Sequence, residues 1–154
     1  MNLFAYGTLM TPDGLAQALG ERASSLRFRP ARLAGWRRIW NSYREEWAGG
    51  VLNAEPRADS TIQGVLIEGL LPEDLARLDE QEKTHLPRQA VVVETDEGAV
   101  PADMYIARHP DYSGRPSARY LAIVLGRARQ AGPAVLESVR TGTVDARGRP
   151  ERLG

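Results

Sequence analysis

Apolar residues in this chain come only in short runs, and that constrains its fold more than any other feature. The longest runs, Val91–Val93 and Tyr120–Leu125, are far shorter than the ~20 residues a bilayer-spanning helix needs. No membrane partner is expected. The core must therefore be assembled from several short strands and amphipathic helices separated by Gly- and Pro-containing turns. With 154 residues and no repeat, low-complexity segment or compositional break, the chain reads as one α+β domain. It has a largely antiparallel sheet and two or three helices, and the domain covers about 1–140. A polar tail over 141–154, with Gly148 and Pro150, is expected to be loosely held.

Charge and cysteine content narrow the chemistry. The 20 basic and 20 acidic residues cancel, so there is no bulk field to gather nucleic acid or anionic lipid, and a small-molecule partner is the expectation. Without cysteine there is no disulfide framework, thiolate nucleophile or thiolate-held metal. His85 and His109 show no metal-ligand spacing; no metal is expected, and His109, in a loop before Pro110, reads as exposed. Met1–Tyr6 lacks the basic and long apolar segments of a signal peptide, which makes a cytoplasmic location the expectation.

Residues 2–6 read as a strand ending at Gly7, and 31–41 as a second around Leu33, Trp36, Ile39 and Trp40. Segments 50–54 and 62–67 read as strands on either side of a loop at 55–60. Pro72, followed by Glu73 and Asp74, starts a helix over about 72–83. Gln89–Thr95 and Ala102–Ala107 form a hairpin around the turn 96–98. Helices are expected at 117–130 and from Pro133 to Arg140. The Trp36–Trp40 segment mixes cations with aromatics as some nucleic-acid surfaces do, but in a neutral chain it reads better as a packed strand with solvated arginines.

Two features carry chemistry. On the helix from Pro72, Leu75, Leu78 and Glu82 are spaced by three and then four, so a carboxylate lies on the apolar stripe. A carboxylate drawn into a cleft is desolvated, which favours its use as a base near neutral pH. Glu82 is the leading candidate; the alternative is an ion pair with an arginine. At Tyr6-Gly7-Thr8-Leu9, a strand enters a glycine with little room for a side chain, leaving consecutive N–H groups to face a ligand such as a carboxylate; an ordinary turn is the alternative. Arg44, near Asn41 and Tyr43, has the fork geometry to meet a substrate carboxylate or to form a surface ion pair.

Tyr6-Gly7-Thr8-Leu9, Leu78-Asp79-Glu80-Gln81-Glu82 and Pro116-Ser117-Ala118-Arg119-Tyr120, in this order and at these separations, resemble the γ-glutamylcyclotransferase-like (AIG2-like) family over about residues 3–130. The resemblance implies a small mixed, largely antiparallel β-barrel flanked by helices, with the loop after the first strand holding a γ-glutamyl moiety. On that basis Tyr6, Gly7, Thr8 and Leu9 bind substrate, and Glu82 is the catalytic acid/base of a reaction releasing 5-oxoproline without a cofactor. Tyr120 matches a family tyrosine that can bond substrate or Glu82, or can be a core residue of its helix. A γ-glutamyl-binding module without turnover is the alternative, and monomer and homodimer are both open. There are departures. Thr8-Leu9 stand where members with glutathione-pathway activity carry Ser-Asn, and Lys83 and Leu86 stand where a glycine and an aromatic often follow the acid. These leave the leaving amine or amino acid undefined.

Overall fold

Two long extended segments, 27–44 and 49–68, build most of the sheet. The computed structural model describes residues 1–108, 110 and 113–153; His109, read as exposed from its loop position, lies outside them. Strands β1 (Asn2–Ala5), β2 (Arg27–Arg44), β3 (Gly49–Glu68), β4 (Gln89–Thr95) and β5 (Gly98–Met104) bond in the order β3-β1-β5-β4-β2, and β2 pairs with β3 to close a barrel. β1 runs antiparallel to β3 and parallel to β5, whereas β2 is antiparallel to β3 and β4. The sheet is therefore mixed. A sixth strand, β6 (Thr143–Val144), adds in parallel to β2.

Four helices surround the barrel: α1 (Pro12–Leu19), α2 (Pro72–Gln81), α3 (Ala118–Ala131) and α4 (Pro133–Gly142). Each buries a stripe at helical spacing: Leu15 and Leu19, Leu75 and Leu78, Tyr120, Val124 and Ala128, then Val135 and Val139. These side chains join Leu3, Phe4, Leu66 and Ile67 of the strands in one core. Burying each large aliphatic stabilises the fold by about 1.5–3 kcal/mol. None of the helices among the described residues is long and apolar enough to cross a membrane.

Several expectations change in the folded chain. The loop expected at 55–60 is absorbed into a continuous β3; the register jumps from Ala34↔Thr61 to Trp36↔Pro56, which leaves 57–60 as an exposed excursion. α1 was hidden because Thr11-Pro12-Asp13-Gly14 has the composition of a turn, although Pro at the first helical position and an acid behind it also begin helices. β5 starts at Gly98 rather than Ala102, directly after the turn, with Thr95 opposite Gly98. Residues 105–107 leave the sheet and are held by the Tyr6 hydroxyl, which donates to the Tyr105 carbonyl, and by the Ala107 N–H, which donates to Asn53. Arg38, expected in solvent, is 1% exposed. In the polar tail, Glu151 N–H donates to Thr143 O, Leu153 N–H donates to Arg140 O, and Leu153 is buried.

α2 begins against a buried carboxylate. Asp74 accepts the Leu71 N–H at 2.8 Å and three bonds from Arg22 at 3.0, 3.1 and 3.3 Å. Burial raises its carboxyl, but Arg22 and the Leu71 N–H together hold it below the usual range. Asp74→Ala removes the acceptor for the N–H at the helix start and leaves Arg22 without its carboxylate. Urea unfolding is expected to show a loss of about 2–3 kcal/mol; a change under 0.5 kcal/mol would refute this role.

Candidate active site

β1 delivers the chain through Tyr6 into the loop 7–9, which forms one wall of a cleft of about 490 Å³. Glu82, His85 and Arg44 meet that wall, with Tyr105 and Tyr120 beside them. Thus Tyr6, Gly7, Thr8, Leu9, Glu82 and Tyr120, scattered from one end of the chain to residue 120, come together around one cavity. A wider, polar hollow of about 780 Å³ adjoins it, sharing Thr8, Arg44, Trp47 and Glu82 and reaching Arg119 and Arg127.

Glu82 sits just past the last turn of α2, where its N–H still donates to the Leu78 carbonyl. The helix ends one residue earlier than its apolar spacing implied, and a single 3-10 turn, Lys83–His85, follows. The Glu82 side chain is only 7% exposed. Arg44, at the end of β2, donates to its Oε2 and to the Gln81 carbonyl at 3.1 Å, and also pairs with Glu46. This guanidinium supplies the countercharge a buried carboxylate needs. Among the described residues, Oε1 of Glu82 has no hydrogen-bond partner and remains available to a ligand.

The N–H groups of Gly7, Thr8 and Leu9 likewise have no acceptor among the described residues, an arrangement suited to an anion. The steric expectation at Gly7 is corrected: a Cβ there would meet nothing closer than 3.8 Å, but its neighbours would be Leu52 and the Tyr120 hydroxyl, both lining the cleft. Glycine at this position keeps cavity space open. The tight approach is at Gly14 in α1, where a Cβ would lie 1.9 Å from the Thr8 carbonyl oxygen.

Three tyrosines line the cavity as neutral groups. Burial pushes the phenols of Tyr6 and Tyr120 well above their usual range, with Glu82 contributing at both; burial and Asp79 do the same at Tyr105. Tyr120 is both a core residue and a cleft residue. It packs edge-on against Trp40 and Trp47, its N–H is capped by Ser117, and its hydroxyl accepts the Leu52 N–H at 3.0 Å. Tyr105 donates to Asp79, which also pairs with Arg88.

His85 was not expected in the cleft, nor Arg44 at its centre. His85 lies three residues after Glu82, with Nδ1 3.9 Å from Oε2 and 2.9 Å from the Thr84 hydroxyl. Its spacing from the acid was the available signal. Burial, then the charge of Arg44, pushes His85 down to about 4, so it faces the cleft as a neutral imidazole. No cluster of three or more metal-ligating side chains occurs among the described residues.

A family model described as gamma-glutamyl cyclotransferase, AIG2-like, matches residues 3–122. Among solved structures, one named gamma-glutamyl cyclotransferase is 23% identical with a TM-score of 0.73, over 84% of this chain and 79% of that one. An uncharacterized human protein, loc79017, is 22% identical with a TM-score of 0.78, over 94% and 89% of the two chains. YkqA of Bacillus subtilis is 18% identical with a TM-score of 0.70, covering 90% of this chain and 52% of the longer one. These likenesses establish a shared fold. No curated protein matches the sequence significantly.

The neutral state of His85 has a pH signature. Between pH 6.5 and about 4 the unfolded chain binds a proton that the folded chain excludes, so stability declines as pH falls through that window. Unfolding free energies measured at pH 7 and pH 4.5 are expected to differ by about 2–3 kcal/mol more in the native protein than in His85→Asn. Equal losses in the two proteins would remove His85 from this account.

Proposed function

The chain belongs to the gamma-glutamyl cyclotransferase, AIG2-like family, and from that premise we propose that it cyclises a γ-glutamyl group to 5-oxoproline, releasing an amine or amino acid. The carrying observation is the buried Glu82 with one unbonded oxygen, across a cleft from the unpaired N–H groups of residues 7–9. The loop takes the substrate's α-amino acid end. Glu82 then removes a proton from the α-ammonium, and the freed amine attacks the γ-carbonyl carbon. As the lactam C–N bond forms and the old amide C–N bond breaks, the same carboxylate passes protons from the attacking nitrogen to the departing one. No cofactor enters this sequence. Acid–base transfer of this kind contributes about 10²–10⁴ in rate, and confining the flexible γ-glutamyl chain supplies further acceleration. Tyr6 and Tyr120 border the reacting region as neutral groups. A cytoplasmic setting suits such a small-molecule reaction.

One observation favours a second reading, ligand binding without turnover: Arg44 occupies Oε2 of Glu82, leaving a single oxygen for chemistry. A panel of γ-glutamyl amines and γ-glutamyl amino acids separates the two. The native protein is expected to form 5-oxoproline from at least one, and Glu82→Gln to lower turnover by roughly 10²-fold or more with the thermal midpoint retained. Near-native turnover in Glu82→Gln would remove this acid from the mechanism; ligand binding with no product from any substrate would support the second reading.

A further inference from the structure

Arg38 is the most deeply buried charge in the described chain, and its partners are all neutral. Its Nε donates to the Tyr6 carbonyl at 2.8 Å, Nη2 to the Gln63 carbonyl at 2.6 Å and Nη1 to the Ser138 hydroxyl at 2.8 Å. It forms no ion pair among the described residues. An unpaired guanidinium withdrawn from water is costly to desolvate, and an apolar side chain would fill the space without that cost. Burial pushes it down to about 9, so it stays cationic at neutral pH.

A second cation does the same two residues further along the chain. Arg127 of α3, half-buried, donates to the Thr8 carbonyl at 2.6 Å and also forms no ion pair among the described residues; Asp13 shares its hollow. Two arginines, 89 positions apart in sequence, thus hold alternate carbonyls of one loop. In a trans peptide the N–H points opposite to the C=O, and neither peptide is cis. The Tyr6 carbonyl turned to Arg38 therefore sends the Gly7 N–H the other way, and the Thr8 carbonyl turned to Arg127 does so for Leu9. Both N–H groups lack an acceptor among the described residues.

We propose that Arg38 and Arg127 are positioning residues of this loop: they hold its carbonyls turned back and set two positive charges behind the N–H groups that receive a ligand carboxylate. The inference rests on the cyclotransferase reading for the identity of that carboxylate, the α-carboxylate of the γ-glutamyl group. Selectivity for the charged form of the ligand then comes from cations behind the backbone that bind it.

The test is direct binding, by calorimetry, of 5-oxoproline and of its neutral carboxamide, which differ only at the carboxylate. The native protein is expected to prefer the carboxylate. In Arg127→Gln, 5-oxoproline should bind roughly tenfold more weakly while the carboxamide changes less than twofold. Arg38→Gln should act alike, and Arg38→Lys, which restores the charge, should recover part of the preference. If Arg38→Gln does not fold, Arg127→Gln decides. A folded Arg127→Gln that weakens both probes equally, or keeps the full preference, overturns the inference, as does a native protein without preference. Where the preference and its loss are seen but no γ-glutamyl substrate yields product, the inference stands and the turnover reading falls. In kinetics on an active substrate the same variants should raise KM with kcat little changed.

Discussion

The insertion of β1 between β3 and β5 is the constraint on which the rest of the molecule depends. Its four residues pair antiparallel with β3, Leu3 pairs in parallel with Asp103 of β5, and Leu3, Phe4 and Ala5 are almost wholly buried. Closing the barrel removes sheet edges that would otherwise need cover. It also fixes the point at which the chain leaves the barrel, so Tyr6 and the loop after it emerge at one end. That end is where α2 stops, bringing Glu82 to face the loop.

Electrostatics at this end follow from burial more than from the number of charges. The chain carries no net charge, yet a few ionic groups are withdrawn from water and each is matched differently. Asp74 has Arg22 and a helix-end N–H; Glu82 has Arg44; Arg38 has only carbonyls and a hydroxyl. Side chains of ordinary surface type thereby become groups with defined direction, because in a medium of lower dielectric each hydrogen bond counts for more. His85, neutral for the same reason, adds polarity to the cleft without adding charge.

Much of this was readable along the chain. The Leu75–Leu78–Glu82 spacing identified an acid on a buried stripe, and the acid is buried, though the helix releases it one residue early. The hairpin around 96–98 and the helix carrying Tyr120 follow from alternation and from helical spacing. Elements whose local signals conflict with their neighbours were harder to read. Pro56 and the polar residues after it suggested a loop, but pairing with β2 on both sides carries β3 through it. The helix from Pro12 was not read from the sequence at all, yet Leu15 and Leu19 find a core to cover.

By itself the sequence determined most of the element types, the family and the identity of the inward-facing acid, because periodicity and short motifs are local properties set by backbone geometry and side-chain size. Only the tertiary structure decided who that acid meets. Arg44 is 38 residues away from Glu82, and Arg38 lies 32 residues from the carbonyl it holds. No local spacing encodes such contacts. They arise when closure of the barrel removes water from between groups that the chain keeps far apart, leaving each charge to find its partner within the protein.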